Sequence, residues 1–207
     1  NFKLLPLIQK YKIVPTIYVC TQIVRSNRRF WWTADSKKAE VLKKLSNAER
    51  LSFLRRECNF IQEAEFDGEP QALSAIEISE MKNHVDFQSH TRFHPILPKC
   101  TDEDSKAEIK GSSEDMKKFI GRGARHFAFP NGSYCERDVT FVKEAGYRTA
   151  RTTDVGWTAL NSDPFKLKTV GCLDGIVSCN RLASILCCAP HKIKTFLGKF
   201  NWARSKS

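Results

Sequence analysis

Four short runs rich in β-branched and aromatic residues punctuate the sequence: residues 13–19 (IVPTIYV), 85–88 (VDFQ), 125–129 (RHFAF) and 147–153 (YRTARTT). Between them lie segments with helical spacing. Strands that alternate with helices are joined by crossovers, and crossovers bring strands into parallel register. The chain is therefore expected to be α/β, built on a parallel sheet. In such sheets the side chains that do chemistry gather at the C-terminal ends of the strands. The residues that follow each run are the candidates for function.

The helical segments carry their own signals. Residues 2–10 space Leu4, Leu5 and Ile8 along one face. Residues 37–57 set Val41, Leu42, Leu45, Leu51 and Leu54 among charges. Ser46 and Glu49 have the spacing of a capping box, which predicts two short helices meeting there. Ser74 and Glu77 repeat the box and open a helix to about residue 83. Thr101 caps a helix running through Ile109, Met116, Phe119 and Ile120. A helix over 136–145 stops at Gly146, a residue suited to the position just past a helix end. The basic, aromatic stretch 25–32 reads as a loop, and 67–70 as a turn. At 207 residues and 41% hydrophobic, the chain suits one domain with a full core. No apolar run approaches the ~18 residues needed to cross a bilayer. Residues 1–10 lack the layout of a signal peptide.

Charge and cysteines narrow the classes. The net charge of +11 favours acidic partners, whether nucleic acid, anionic lipid or an anionic glycan. A solvated surface of no special purpose remains the plain alternative. The basic residues are scattered, with groups at 25–29 and 37–44, and no nucleic-acid module is present. The eight cysteines contain no Cys-x-x-Cys pair, which argues against a zinc ribbon. They read as unpaired thiols in a reducing compartment. That favours the cytoplasm, with the cell envelope as the alternative.

The run at 85–88 leads into His90 and His94, four residues apart. On a helix or tight turn this spacing points both imidazoles one way, so they can share a divalent ion. Taken alone, such a pair is more often a surface or capping feature. Ser89, Thr91 and Pro95 around it suggest a structured turn after a strand.

With its neighbours, the pair becomes specific. FQSHTRFHP at 87–95 is similar to the second motif of the polysaccharide deacetylase (NodB-homology) family, and RHFAFPNG at 125–132 is similar to the third. FVKEAGYRT at 141–149, the segment holding Glu108, Ile109, Ser112 and Gly121, and residues 5–19 also resemble that family. The likeness spans about residues 1–170 and is thinnest over 25–73, which reads as an insert. Residues 171–207 read as a C-terminal extension, expected to be helical.

The resemblance implies a distorted (β/α) barrel that uses one divalent metal ion, with zinc expected. It implies hydrolysis of N-acetyl groups on the sugars of a polysaccharide, and the basic surplus favours an anionic polymer. On this chain it makes His90 and His94 metal ligands and gives Arg125 the orienting of a general base. It makes the backbone N–H of Asn131 an oxyanion donor, where Asn131 replaces the usual aromatic residue. His191, after SILCCAP at 184–190, is the candidate general acid, against a surface histidine following a proline turn. Asp154 and Trp157 resemble the fourth motif faintly, against a loop aspartate and a core-rim tryptophan. Trp31 and Trp32 either pack the insert or line a glycan groove. His84 and His126 read as structural.

The family's first motif, Thr-Phe-Asp-Asp-Gly, supplies the base and the third ligand and has no counterpart in the sequence. Asp35, Asp67 and Asp86 stand in other contexts. The barrel is accordingly expected to be incomplete on its N-terminal side, and the chain by itself nearly inactive. The alternative is a deacetylase-like fold that holds glycan without hydrolysing it.

Overall fold

The computed structural model describes residues 2–171. Their elements, in chain order, are α1 (Leu5–Tyr11), β1 (Thr16–Val19), α2 (Trp31–Ala34), α3 (Ala39–Leu42), α4 (Asn47–Cys58), α5 (Ala75–Met81), β2 (Asp86–Ser89), α6 (Asp102–Ile120), β3 (His126–Ala128), α7 (Glu136–Glu144), β4 (Thr149–Val155) and β5 (Leu167–Thr169). All five strands pair in parallel, in the order β1-β2-β3-β4-β5. Each crossover therefore moves one strand over, as in the wall of a (β/α) barrel. Val19 pairs with Ser89, Ser89 with Phe127, and Ala128 with Arg151. That register brings the C-terminal ends of β1, β2 and β3 level with one another.

The main core lies between the sheet and its helices. Phe87, Phe127 and Ala150 from the strands meet Ile109 and Met116 of α6 and Val139 and Val142 of α7. Helix α6 presents Ser105, Ile109, Ser112 and Met116 inward, a stripe at helical spacing. Two of these are serines, small enough for the helix to sit close on the sheet. Ser112 Oγ lies 2.7 Å from Ser89 Oγ, and Tyr147 Oη donates to Ser89 Oγ over 2.9 Å. This buried network fixes the residue that precedes His90.

The expected capping boxes at Ser46 and Ser74 both form, and the Thr101 side chain accepts from Asp104 N. Gly146 follows α7 at φ 84°, where a side chain would be strained. Residues 25–32, expected to be a loop throughout, instead run into the helical turn α2 at Trp31. A four-residue helix is too short for any periodicity to show. The first strand starts at Thr16 rather than residue 13. Strand β5 has three residues and no pattern of its own.

Helices α2 to α4 of the insert form a second core of Trp31, Leu42, Leu54 and Phe60, closed by Ile96. Ile96 is two residues past His94, so this small core abuts the candidate site. Among the described residues Cys20, Cys58, Cys100 and Cys135 are unpaired. None of their helices is long and apolar enough to cross a membrane. The expected C-terminal helix and His191 lie outside the described residues.

Candidate active site

His90 and His94 belong to a loop at the C-terminal end of β2. Its backbone is unusual: Thr91 and His94 have φ of 67° and 60°. Each such residue costs on the order of 1–3 kcal/mol unless its surroundings enforce it. Here nearly every polar group of the loop is tied. Cys20 Sγ donates to His90 O over 3.3 Å. Thr21 N and Gln22 N donate to Thr91 O and Arg92 O over 3.1 and 3.0 Å. Glu108 Oε2 accepts from Arg92 N and Phe93 N over 2.8 and 3.0 Å. His94 N donates to Thr91 Oγ1 and Trp31 Nε1 donates to His94 O, both over 3.0 Å.

Helix α6 supplies two of these anchors from one face. Glu108 and Asp115 are seven residues apart, about two turns. Asp115 Oδ2 accepts from Thr21 Oγ1, Gln22 Nε2 and Arg92 Nε at 2.9, 2.7 and 3.1 Å. Those three donors and the Arg92 charge outweigh the desolvation of Asp115 and hold its carboxyl below the usual range. Glu108 is more enclosed. Burial pushes its carboxyl up to about 7, against the pull of the two amides.

The two imidazole rings lie side by side, with centroids 4.6 Å apart and planes at 79°. Burial lowers the pKa of His90 to about 4, with the Ala128 carbonyl opposing and the Arg151 charge adding to the fall. Burial, then the neighbouring His90, lowers that of His94 to about 3. Both rings are therefore neutral at pH 7, the state in which imidazole offers a lone pair to a metal. His90 Nδ1 sits 2.7 Å from Ala128 O, which fixes the proton on Nδ1 and leaves Nε2 as the lone-pair nitrogen. His94 Nδ1 is buried with no hydrogen-bond partner among the described residues. Two neutral imidazoles, one of them with an orphaned nitrogen, suit part of a divalent-metal ligand set. Among the described residues, no group of three His, Cys, Asp or Glu comes together to complete one.

The rest of the rim comes from three other segments. Asn131, just past β3, lies with His90 in a cavity of about 250 Å³ and with His94 in one of about 170 Å³. Its φ is 55°, and its N–H donates to no acceptor among the described residues. Arg151 on β4 lines the His90 cavity, with its guanidinium 5.7 Å from the Tyr18 ring centroid. Trp32 stands over His94 with ring centroids 4.6 Å apart and stacks on Phe30. It separates the cavity holding Lys43 and Glu40 from another of about 260 Å³ that both histidines line.

Arg125 is not part of this rim, and its expected role needs correcting. It precedes the first residue of β3, at the opposite end of the strand from Asn131, and it is exposed. Its N–H donates to Gln88 Oε1. A three-residue strand separates the two ends, so Arg125 stands at the N-terminal edge of the sheet. The guanidinium beside His90 is that of Arg151. Sequence reasoning missed Arg151 although a signal was present. β4 is paired on both edges, where apolar residues are the rule, so a charge there needs a reason. His84 and His126 bond to Gln9 and Thr149 away from the rim, and Asp86 is tied to Arg122 and Gln88.

The family model described as polysaccharide deacetylase matches residues 1–150. The chain belongs to the polysaccharide deacetylase family, and its parallel α/β sheet is of that family's barrel-like type. A Streptococcus pyogenes deacetylase solved in complex with acetate is similar over 55% of this chain and 50% of its own, at 24% identity and a TM-score of 0.51. A de-N-acetylase from Aggregatibacter actinomycetemcomitans is similar over 88% of this chain and 68% of its own, at 11% identity and a TM-score of 0.58. The chain thus spans half the length of the first structure. No curated protein sequence matches it.

Proposed function

We propose that this chain contributes the two-histidine face of a divalent-metal site in an enzyme that removes N-acetyl groups from the sugars of a polysaccharide. One observation carries the reading: a neutral, side-by-side imidazole pair at the C-terminal end of β2, inside the matched family region. His90 and His94 would hold the ion, and zinc suits imidazole ligands. When bound, such an ion supplies a Lewis acid for the acetyl carbonyl and lowers the pKa of water.

The chain's own residues have separable tasks. The Asn131 N–H, without an acceptor among the described residues, is the donor for charge that builds on the acetyl oxygen during attack. Arg151 donates to Thr169 Oγ1 and forms no ion pair among the described residues, so it can hold negative charge in the His90 cavity. Trp32 offers an aromatic wall beside His94 for the apolar face of a sugar. The net charge of +11 supports an anionic polymer as the substrate.

A second reading is a domain that binds glycan without hydrolysing it. It is favoured by the lack of a third metal-ligand side chain grouped with the histidines among the described residues. Acetate release separates the two. The full-length product of the gene should release acetate from a chitin oligosaccharide or peptidoglycan only with a divalent ion present, and His90→Ala should abolish it. Glycan binding with no acetate release, unaffected by His90→Ala, would establish the second reading instead.

A further inference from the structure

We propose that Trp31 is a positioning residue for His94, so that the insert at 25–73 orients one of the two histidines; this rests on the metal-site reading above. The two rings are held by different means. His90 has its own hydrogen bond, from Nδ1 to Ala128 O over 2.7 Å. The His94 ring has none among the described residues, where its Nδ1 is buried and unpartnered. Its direction must come from its backbone and from the aromatic walls around it.

That backbone is hard to hold. His94 sits at φ 60°, while the residue before a proline prefers extended geometry. Pro95 has no N–H, so His94 O is the one strong hydrogen-bonding group on the peptide that joins them. Its donor is Trp31 Nε1, at 3.0 Å. The anchors from α6 and from residues 21 and 22 reach only residues 91–93. Trp31 therefore fixes the side of His94 that no other described group ties down.

The indole is itself locked. Trp31 is buried among Leu42, Leu54, Phe60 and Ile96, with Trp32 edge-on. The Arg50 guanidinium lies 4.6 Å from the Trp31 ring centroid. Arg50 is fully buried, bonds to Asn47 Oδ1, and has Nε and Nη1 without an acceptor among the described residues. A buried cation with no carboxylate partner is costly, and the indole face is what offsets it. The outcome is a ring whose N–H has one direction, toward His94 O.

The test uses the full-length product of the gene and its Trp31→Phe variant, which keeps an aromatic ring and deletes the donor. Zinc affinity is read by competition with a chromophoric chelator, and histidine ring nitrogens by ¹H–¹⁵N spectra of the metal-free protein. Trp31→Phe is expected to weaken zinc binding about 10- to 100-fold, the usual effect of losing a group that orients a ligand. It should shift the ring signals of His94 and leave those of His90 in place. Leu45→Ala, which loosens the same small core away from the loop, should lower the melting temperature and leave zinc affinity unchanged. Arg50→Met, which unclamps the indole, should move the His94 signals in the same direction as Trp31→Phe and serves if that variant does not fold.

Unchanged His94 signals and zinc affinity in both Trp31→Phe and Arg50→Met would overturn the proposal. So would equal weakening of zinc by Leu45→Ala. A wild-type full-length product that takes up no zinc, with His94 signals still shifted by Trp31→Phe, would refute the metal reading and leave the positioning role standing.

Discussion

Replacing Glu108 by glutamine should change how stability depends on pH, in a direction set by where its carboxyl sits. Oε2 alone accepts both Arg92 N and Phe93 N, so the single carbonyl oxygen of glutamine can take both bonds. The substitution then removes a titration more than it removes a contact. Burial raises the carboxyl from 4.5 to about 7. Between those values the folded protein keeps a proton that the unfolded chain has released. Stability from this group is therefore fully present below pH 4.5 and falls as pH rises, levelling off above about 7. A gap of this size corresponds to about 3 kcal/mol.

His90 and His94 act in the opposite sense. Their lowered values mean stability present above 6.5 and lost as pH falls toward about 4 and about 3. That slope is common to both proteins and cancels in the difference. Urea unfolding of the metal-free wild type and Glu108→Gln across this range measures it. The variant should gain on the wild type by about 3 kcal/mol from the acid end to pH 8. A difference that stays flat with pH would refute the reasoning, because Glu108 would then titrate alike in both states.

Two further substitutions test the rim and the helix behind it. In the full-length product, Arg151→Ala should lower deacetylation of an anionic glycan by at least about tenfold, about 1.4 kcal/mol, while Arg125→Ala leaves it unchanged; steady-state acetate release checks this, and the reverse pattern would restore the role first expected for Arg125. Thr101→Ala removes the acceptor for Asp104 N at the start of α6 and should cost about 1 kcal/mol in thermal or urea unfolding, without altering zinc uptake.

Much of the fold was legible because its signals are local. The strands at β1 to β4 stood out as short apolar runs, and Ser46, Ser74 and Thr101 announced their helices through side-chain caps. The histidine pair was legible through its spacing and its flanking residues. What escaped depends on the sheet. Whether Arg125 or Arg151 reaches the histidines is decided by which end of a strand each occupies, and by the pairing of Ala128 with Arg151. Spacing along the chain carries neither fact. The sequence leaves Trp31 between packing and groove, and it is buried. Its bond to His94 O joins residues 63 apart, a link that no local pattern encodes.

The most direct test of the metal reading is the zinc content of the purified full-length product after dialysis, measured for the wild type, His90→Ala and His94→Ala. About one equivalent in the wild type is expected, with loss from both variants and unchanged circular dichroism, as for a site whose ligands include both imidazoles. Equal zinc in all three proteins would contradict it, and would show that the two histidines do not hold the ion.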